Sequence, residues 1–105
     1  KKKRKSHPKP IIDTCKGECF LCKLQGRPYK KCTEEHHIFY GGGLRTVSEQ
    51  NGFKVYLCPD CHKSAPYAVH NSRETRELLC RITQKKYEET HTRDEFVTLI
   101  GKNYL

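Results

Sequence analysis

The chain has 105 residues, of which 34% are hydrophobic, with seven cysteines and no Trp or Met. So small a core usually needs disulfides, a metal or a partner, and the odd number of cysteines disfavours a closed disulfide framework. The chain shows no signal peptide and no apolar run near the roughly 18 residues of a membrane span. We therefore expect a reducing, intracellular compartment and no membrane.

The net charge of +9 is concentrated at the start of the chain. The first ten residues carry six of the 21 basic residues and no acid, whereas the remaining 95 hold 15 basic and 12 acidic residues. Pro8 and Pro10, with no packing pattern around them, predict a disordered basic tail over residues 1–14. Such a tail either holds phosphates, acts as a localisation signal or only aids solubility.

A cysteine turn and a ribbon of two strands follow the tail. The spacing of Cys19 and Cys22 in CFLCKLQG is typical of a zinc knuckle. Residues 34–40 are rich in β-formers and predict a strand, residues 41–52 have glycine at both ends and predict a loop, and residues 53–57 (FKVYL) predict a second strand. We expect these strands to pair as an antiparallel ribbon.

Two helices are predicted after a second cysteine turn, CPDC. Asn71 with Glu74 fits a capping box that opens the first helix, and Thr92 with Glu95 opens the second, which Gly101 ends. The first helix carries an apolar stripe of Leu78, Leu79, Ile82 and Tyr87. We expect a single domain over residues 15–105, with knuckles and ribbon in 15–71 and helices in 72–105.

The two cysteine turns together predict a structural Zn²⁺ site. The four ligands would be Cys19, Cys22, Cys58 and Cys61. The 35 residues between the pairs exceed an ordinary zinc-finger gap, and the excess matches a strand–loop–strand insert. Cys15 and Cys32 compete for the first pair, although we interpret them as free thiols, and Cys80 is expected to be a packed helix residue.

Adjacent histidines on the first strand suggest chemistry. Neighbouring side chains on a strand point to opposite faces, so His36 and His37 are not expected to bind one ion together. A ribbon that folds back brings His62, which follows Cys61, near His36. Neutral imidazoles that hold a divalent cation, with another histidine as base, permit metal-assisted hydrolysis. Alternatively the pair is incidental, or His62 replaces a cysteine as a zinc ligand.

The ordered motifs EEHHIFYGGG and LCPDCH resemble those of the HNH endonucleases. The agreement runs from Cys19 to about His70. More loosely, the segment from Cys19 through FVTLIGKNYL is similar to small HNH-type proteins of phages and prophages. The resemblance implies an α+β fold, namely a small zinc-stabilised ββα-metal (HNH, or His-Me finger) domain with C-terminal helices.

The resemblance also implies residue roles. His37 would be the general base, and His36 and His62 would be ligands of a catalytic divalent metal (Mg²⁺, Mn²⁺, Ni²⁺ or Zn²⁺). His70 would be a further ligand or a phosphate contact. Asn51 would hold the loop so that the base is aimed; Glu49 is an alternative for that role.

Basic residues outside the tail are candidate nucleic-acid contacts. Arg45 in the loop and Lys54 on the second strand either hold flanking phosphates or are solvated charges. The first C-terminal helix carries a further set that either follows a duplex backbone or pairs with interleaved glutamates: Arg73, Arg76, Lys85 and Lys86.

The function that the resemblance implies is metal-dependent DNA endonuclease activity. One metal ion and a histidine base would hydrolyse a phosphodiester bond and leave a 5′-phosphate. The expected setting is the cytoplasm of a bacterial host, with the protein encoded by a phage or prophage, and weak DNA sequence preference. The alternative is a zinc-stabilised nucleic-acid-binding module without catalysis, and a protein-interaction module is a third interpretation.

Overall fold

A two-stranded sheet and four α-helices make up the part of the chain that the structure, a computed structural model, describes: residues 8–29 and 31–105. The elements in chain order are α1 (Phe20–Leu24), β1 (Glu34–His37), α2 (Leu44–Asn51), β2 (Lys54–Leu57), a π-helical turn (Asp60–Ser64), α3 (Arg73–Tyr87) and α4 (Arg93–Ile100). The predicted α+β class is confirmed. Within those described ranges, no helix has the length and apolar character needed to cross a membrane.

The ribbon separates the two adjacent histidines onto different faces. β1 and β2 pair antiparallel, with His36 opposite Val55 and His37 opposite Lys54. Directly opposed residues share a face, and successive residues alternate. His36 therefore lies on the face of the buried Val55 and is itself only 3% exposed. His37 lies on the other face, beside Lys54.

An aromatic cluster joins the ribbon to the C-terminal helices. The ring of Phe39, just after β1, lies 5.4 Å from that of Phe53 and 5.6 Å from that of Phe96 on α4, measured between centroids. All three rings are buried. Edge-to-face pairs of this kind stabilise a core by about 0.5–1.5 kcal/mol each beyond their buried area. The cluster thus fixes the end of β1, where the histidines lie.

The segment predicted as a loop over residues 41–52 contains helix α2, so that prediction was wrong. Gly43 and Gly52 have φ of 88° and 72° and cap the helix at its two ends. Ser48 on its buried face donates to the Phe39 carbonyl at 2.6 Å and accepts from the Phe39 amide at 3.0 Å. The glycines mark helix ends here, and the serine attaches the helix to the ribbon.

Residues 8–14, the described part of the predicted tail over residues 1–14, contact the rest of the chain. The Ile11 amide donates to the Gly52 carbonyl at 3.0 Å, and Ile12 is buried against the core. Two adjacent isoleucines supply the apolar contact that the proline-rich start lacks. Part of the predicted tail thus packs on the body of the protein, while residues 1–7 lie outside the described residues.

Helix α3 begins one residue later than its predicted cap. The Ser72 side chain accepts the Thr75 amide at 3.2 Å and is the N-cap. The Asn71 side chain instead donates to the carbonyls of Lys63 at 2.6 Å and Ala65 at 3.0 Å. Asn71 therefore ties the start of α3 to the end of the π-helical turn, and its cap role passes to the neighbouring serine.

The second predicted capping box is confirmed. The Thr92 hydroxyl accepts the Glu95 amide at 3.1 Å, and the Glu95 carboxylate accepts the Thr92 amide at 2.7 Å. Helix α4 then ends at Gly101, as its sequence predicts. This local agreement places Phe96 in the aromatic cluster.

Candidate functional site

Four buried cysteines converge at the base of the ribbon. They are Cys19, Cys22, Cys58 and Cys61, and their sulfur atoms all lie within 4.8 Å of one another. The Cys22 sulfur lies 3.6 Å from that of Cys61 and 3.8 Å from that of Cys58. Four sulfurs at about 2.3 Å from one zinc ion form a tetrahedron with edges of about 3.8 Å. The cluster therefore fits a structural metal such as zinc.

Burial and neighbouring groups set the protonation of the cysteine cluster. Burial, followed by hydrogen bonds with Cys22 and Cys19, raises the pKa of the Cys61 thiol. A divalent cation reverses that effect because it stabilises thiolates. The Arg27 guanidinium also donates to the Cys61 sulfur at 3.3 Å and lies 4.4 Å from the centre of the Tyr67 ring. Sequence reasoning missed Arg27, because this residue follows the first zinc knuckle and belongs to no recognisable motif.

The remaining cysteines lie outside this cluster. Cys15 and Cys32 are exposed, and Cys80 is buried within α3. The geometry thus selects Cys19 and Cys22 as the first ligand pair over the two competitors considered from spacing.

Three histidines form a second group, with ligand nitrogens within 4.8 Å of one another: His36, His62 and His70. His62 and His70 approach most closely, with 3.2 Å between their Nε2 atoms. Nitrogens about 2.1 Å from one ion lie about 3.0–3.4 Å apart in octahedral or tetrahedral geometry. This group, which we call the histidine cluster, therefore has dimensions suited to a metal ion.

A backbone contact explains how His62 and His70 meet despite an eight-residue separation. The Val69 amide donates to the Cys61 carbonyl at 2.8 Å, and the His70 amide donates to the His62 carbonyl at 3.3 Å. The chain after the π-helical turn thus runs back beside it. Helical i,i+4 spacing is not needed for the two imidazoles to converge.

Two imidazoles of the histidine cluster, those of His36 and His70, are favoured in the neutral form. Burial, and then the nearby His62 and His70, lower the pKa of His36 to about 3. Burial and the nearby His62 also lower the pKa of His70. The buried Nε2 atom of His36 has no hydrogen-bond partner among residues 8–29 and 31–105. Neutral imidazole is the form that binds metals, and an ion would satisfy this orphan nitrogen.

A carboxylate orients one imidazole of the cluster. Glu34 lies 2.7 Å from Nδ1 of His62, through its Oε1 atom, and this hydrogen bond lowers the pKa of Glu34. The carboxylate accepts from Nδ1, and in the neutral tautomer that this contact selects Nε2 carries the lone pair and faces His70. Carboxylate–histidine pairs of this type fix metal-ligand orientation. Sequence reasoning missed Glu34, although strand alternation places it on the face of His36.

His37 has its own carboxylate partner. Its Nε2 atom lies 2.7 Å from Oε1 of Glu49, on α2. Lys54 lies 3.3 Å from Glu35 and 3.5 Å from Glu49. Burial acts to lower the pKa of Lys54, but the two carboxylates outweigh it and raise that pKa. Glu35, His37 and Glu49 also offer ligand atoms that lie within 4.8 Å of one another. The Lys54 ammonium is the cation that pairs with the two carboxylates of this group.

The other predicted site residues have different surroundings. Asn51 donates its side-chain amide to the Val47 carbonyl at 2.8 Å within α2, and Glu49 is the α2 residue that contacts His37. Lys54 is 5% exposed and engaged by carboxylates, which disfavours direct contact with phosphate. Arg45 is exposed.

The histidine cluster and His37 line one cavity of about 330 Å³, which we call the histidine cavity. The cavity takes in both faces of the strand at the end of β1, so His37 lines it together with the histidine cluster. Arg45 and Lys63 add positive charge to its lining, and Tyr40 adds an exposed aromatic ring. The arrangement can hold a cation, an anionic substrate and a proton acceptor side by side.

The chain matches no family model, no curated protein and no solved structure. The resemblance to HNH endonucleases therefore stays a prediction from the motifs.

Proposed function

We propose that this protein is a metal-dependent HNH-type endonuclease that hydrolyses phosphodiester bonds in DNA. The observation that carries the proposal is the convergence of the histidine cluster and a carboxylate-bound His37 on one cavity. A cation site and a proton acceptor beside each other are the two parts that metal-assisted hydrolysis requires. The proposed setting, a phage-encoded protein in a bacterial cytoplasm, follows from the resemblance alone.

The histidines of the site divide two tasks between them in this reaction. His36, His62 and His70 would hold a divalent cation, which when bound stabilises charge on the phosphate and on the departing oxygen. His37 accepts a proton from the attacking water. Because Glu49 engages Nε2 of His37, the Nδ1 lone pair is the proton acceptor, and the carboxylate stabilises the imidazolium that results.

The charge around the site favours a polyanionic substrate. Arg45 and Lys63 line the histidine cavity, and Glu35, the carboxylate in the same lining, pairs with Lys54 at 3.3 Å. Arg45 is exposed and free of any short salt bridge among the described residues, so its guanidinium can contact phosphate. Lys54 supports the reaction indirectly, because it holds Glu49 against His37.

Relaxation of a supercoiled plasmid tests the proposal. Purified protein with its structural metal in place is incubated with Mg²⁺, Mn²⁺, Ni²⁺ or Zn²⁺, beside His37→Ala. His91→Ala is the matched control, because His91 is exposed and outside the histidine cavity. We expect metal-dependent nicking by the parent and by His91→Ala, and none by His37→Ala.

Two outcomes would contradict the proposal. Nicking that survives in His37→Ala would mean another base or a contaminating nuclease. DNA that is bound but stays supercoiled under all four metals would favour the binding module without catalysis.

A further inference from the structure

The C-terminal segment folds back onto α3 through one fully buried glutamine. The Gln84 side chain accepts the Tyr104 amide at 2.7 Å and donates to the Asn103 side-chain oxygen at 2.7 Å. Gln84 is 0% exposed, so both ends of its amide are satisfied away from water. The contacts hold residues 103 and 104 against the helix, and Lys102 is thereby placed beside α3.

Lys102 completes a cavity of about 480 Å³ between the end of β1 and α3, which we call the cationic cavity. Its lining includes three aromatic and three cationic side chains: Phe39, Tyr40, Tyr104, Arg73, Arg76 and Lys102. Glu77 is the carboxylate in this lining, and it pairs with Arg73 at 3.1 Å. The cavity therefore keeps a surplus of positive charge on Arg76 and Lys102.

The cationic cavity adjoins the histidine cavity. Tyr40 lines both, and its ring centroid lies 5.8 Å from that of His36 and 5.5 Å from that of His70. Arg76 donates to the carbonyl of Val69, the residue before His70, at 3.3 Å. One chain of nucleotides can thus extend from the histidine cavity past Tyr40 to Arg76.

We propose that the cationic cavity binds a backbone phosphate of the nucleic-acid strand, next to the phosphate at the histidine cluster. This inference rests on the proposed function. Arg76 and Lys102 contact the phosphate oxygens, since guanidinium and ammonium groups are strong donors to phosphate. Tyr40 stacks on the nucleotide between the two phosphates, because an exposed aromatic ring accepts any base.

Salt-dependent binding of a short DNA duplex, without added divalent metal, tests this site. Lys102→Gln is compared with Lys16→Gln, which removes the same charge from an exposed position outside the lining of the cationic cavity. Loss of one phosphate contact makes the slope of log K against log salt shallower by about 0.9. We expect that change, with weaker binding at low salt, in Lys102→Gln and the parental slope in Lys16→Gln.

A second experiment distinguishes a site for a nucleic-acid strand from a site for any small anion. Chemical shifts of the Tyr40 ring and the Lys102 side chain are followed during titration with the duplex or with inorganic phosphate. We expect the duplex to shift both residues. Saturation of Lys102 by inorganic phosphate, with the Tyr40 ring unaffected by the duplex, would overturn the assignment to a nucleic-acid strand.

The failure of this inference differs from the failure of the nuclease proposal. Equal slopes in Lys102→Gln and Lys16→Gln, with the parent still cleaving plasmid, would overturn the phosphate site and leave the nuclease. No cleavage by the parent, with selective loss of binding in Lys102→Gln, would overturn the nuclease and support the cavity as a nucleic-acid site. No duplex binding at low salt would overturn the phosphate site.

Discussion

The four-cysteine cluster and the histidine cluster are both suited to a metal, but their exposure differs. All four cysteines are buried, whereas His70 is exposed and the histidine cluster opens onto a cavity. Closed thiolate sites stabilise folds, and catalytic sites keep a position for water or substrate. The contrast favours a structural role for the first cluster, and the catalytic role proposed for the second depends on its opening onto the cavity.

The two clusters share one piece of backbone. Cys61 and His62 are adjacent on the π-helical turn, so one turn contributes a ligand to each cluster. We therefore expect the histidine cluster to depend on the cysteine cluster, and the cysteine cluster not to depend on the histidines. Loss of the cysteine cluster releases the turn that carries His62, whereas loss of an exposed imidazole leaves the cysteine cluster intact.

The largest effect is expected from Cys61→Ser. A structural zinc ion contributes about 10–16 kcal/mol in small zinc domains, which is comparable to or larger than the roughly 5–15 kcal/mol stability of a typical domain. We expect loss of bound zinc and of the cooperative thermal transition, measured by metal analysis and circular dichroism. Cys15→Ser, which changes an exposed thiol outside the cluster, should retain both. A zinc-loaded Cys61→Ser protein with parental stability would contradict the structural role of the cluster.

His70→Ala should separate the two clusters. The variant removes an exposed ligand, so the fold and the zinc at the cysteines should remain, while binding of a second divalent ion is lost. Cobalt absorption and calorimetric titration measure that second ion, and the expected stoichiometry falls from two ions to one. His91→Ala serves as the control. Unchanged binding of two ions in His70→Ala would remove this histidine from the metal site.

Glu34→Ala should weaken only the histidine cluster. The carboxylate orients His62 through a 2.7 Å contact, and removing such a partner lowers metal affinity about 10–100-fold. We expect this loss for the second ion, with zinc at the cysteines unchanged, in the same titration. Glu18→Ala is the matched control, because Glu18 pairs with Lys23 at the surface. Equal affinities in both variants would show that Glu34 does not position the ligand.

Local patterns in the sequence predicted the ribbon, the cysteine quartet and the second capping box. Each of these depends on residues close together in the chain or on a fixed ligand spacing. Helix α2 was missed because Gly43 and Gly52 are equally compatible with a loop and with helix caps. The cap of α3 was missed because Asn71 and Ser72 are both good caps, and tertiary contacts of Asn71 decide between them.

The carboxylate partners of the histidines could be predicted only in part. Strand alternation places Glu34 on the face of His36, but its contact with His62 depends on the position of the π-helical turn. Glu49 reaches His37 because α2 packs on the end of β1, and no periodicity at the sequence level establishes that packing. The contacts of Glu34 and Glu49 with the histidines join residues that are distant in the sequence. The candidate ligands, in contrast, lie within recognisable motifs.

The smallest effect is expected from Asn51→Ala, which distinguishes two candidates for aiming the general base. Asn51 donates to the Val47 carbonyl within its own helix, whereas Glu49 contacts His37 directly. In plasmid cleavage we expect Asn51→Ala to stay within about twofold of the parent, since partly exposed positions away from a site tolerate change, and Glu49→Ala to be clearly slower. A strong loss in Asn51→Ala at parental thermal stability would return the aiming role to the asparagine and leave Glu49 as a partner of Lys54.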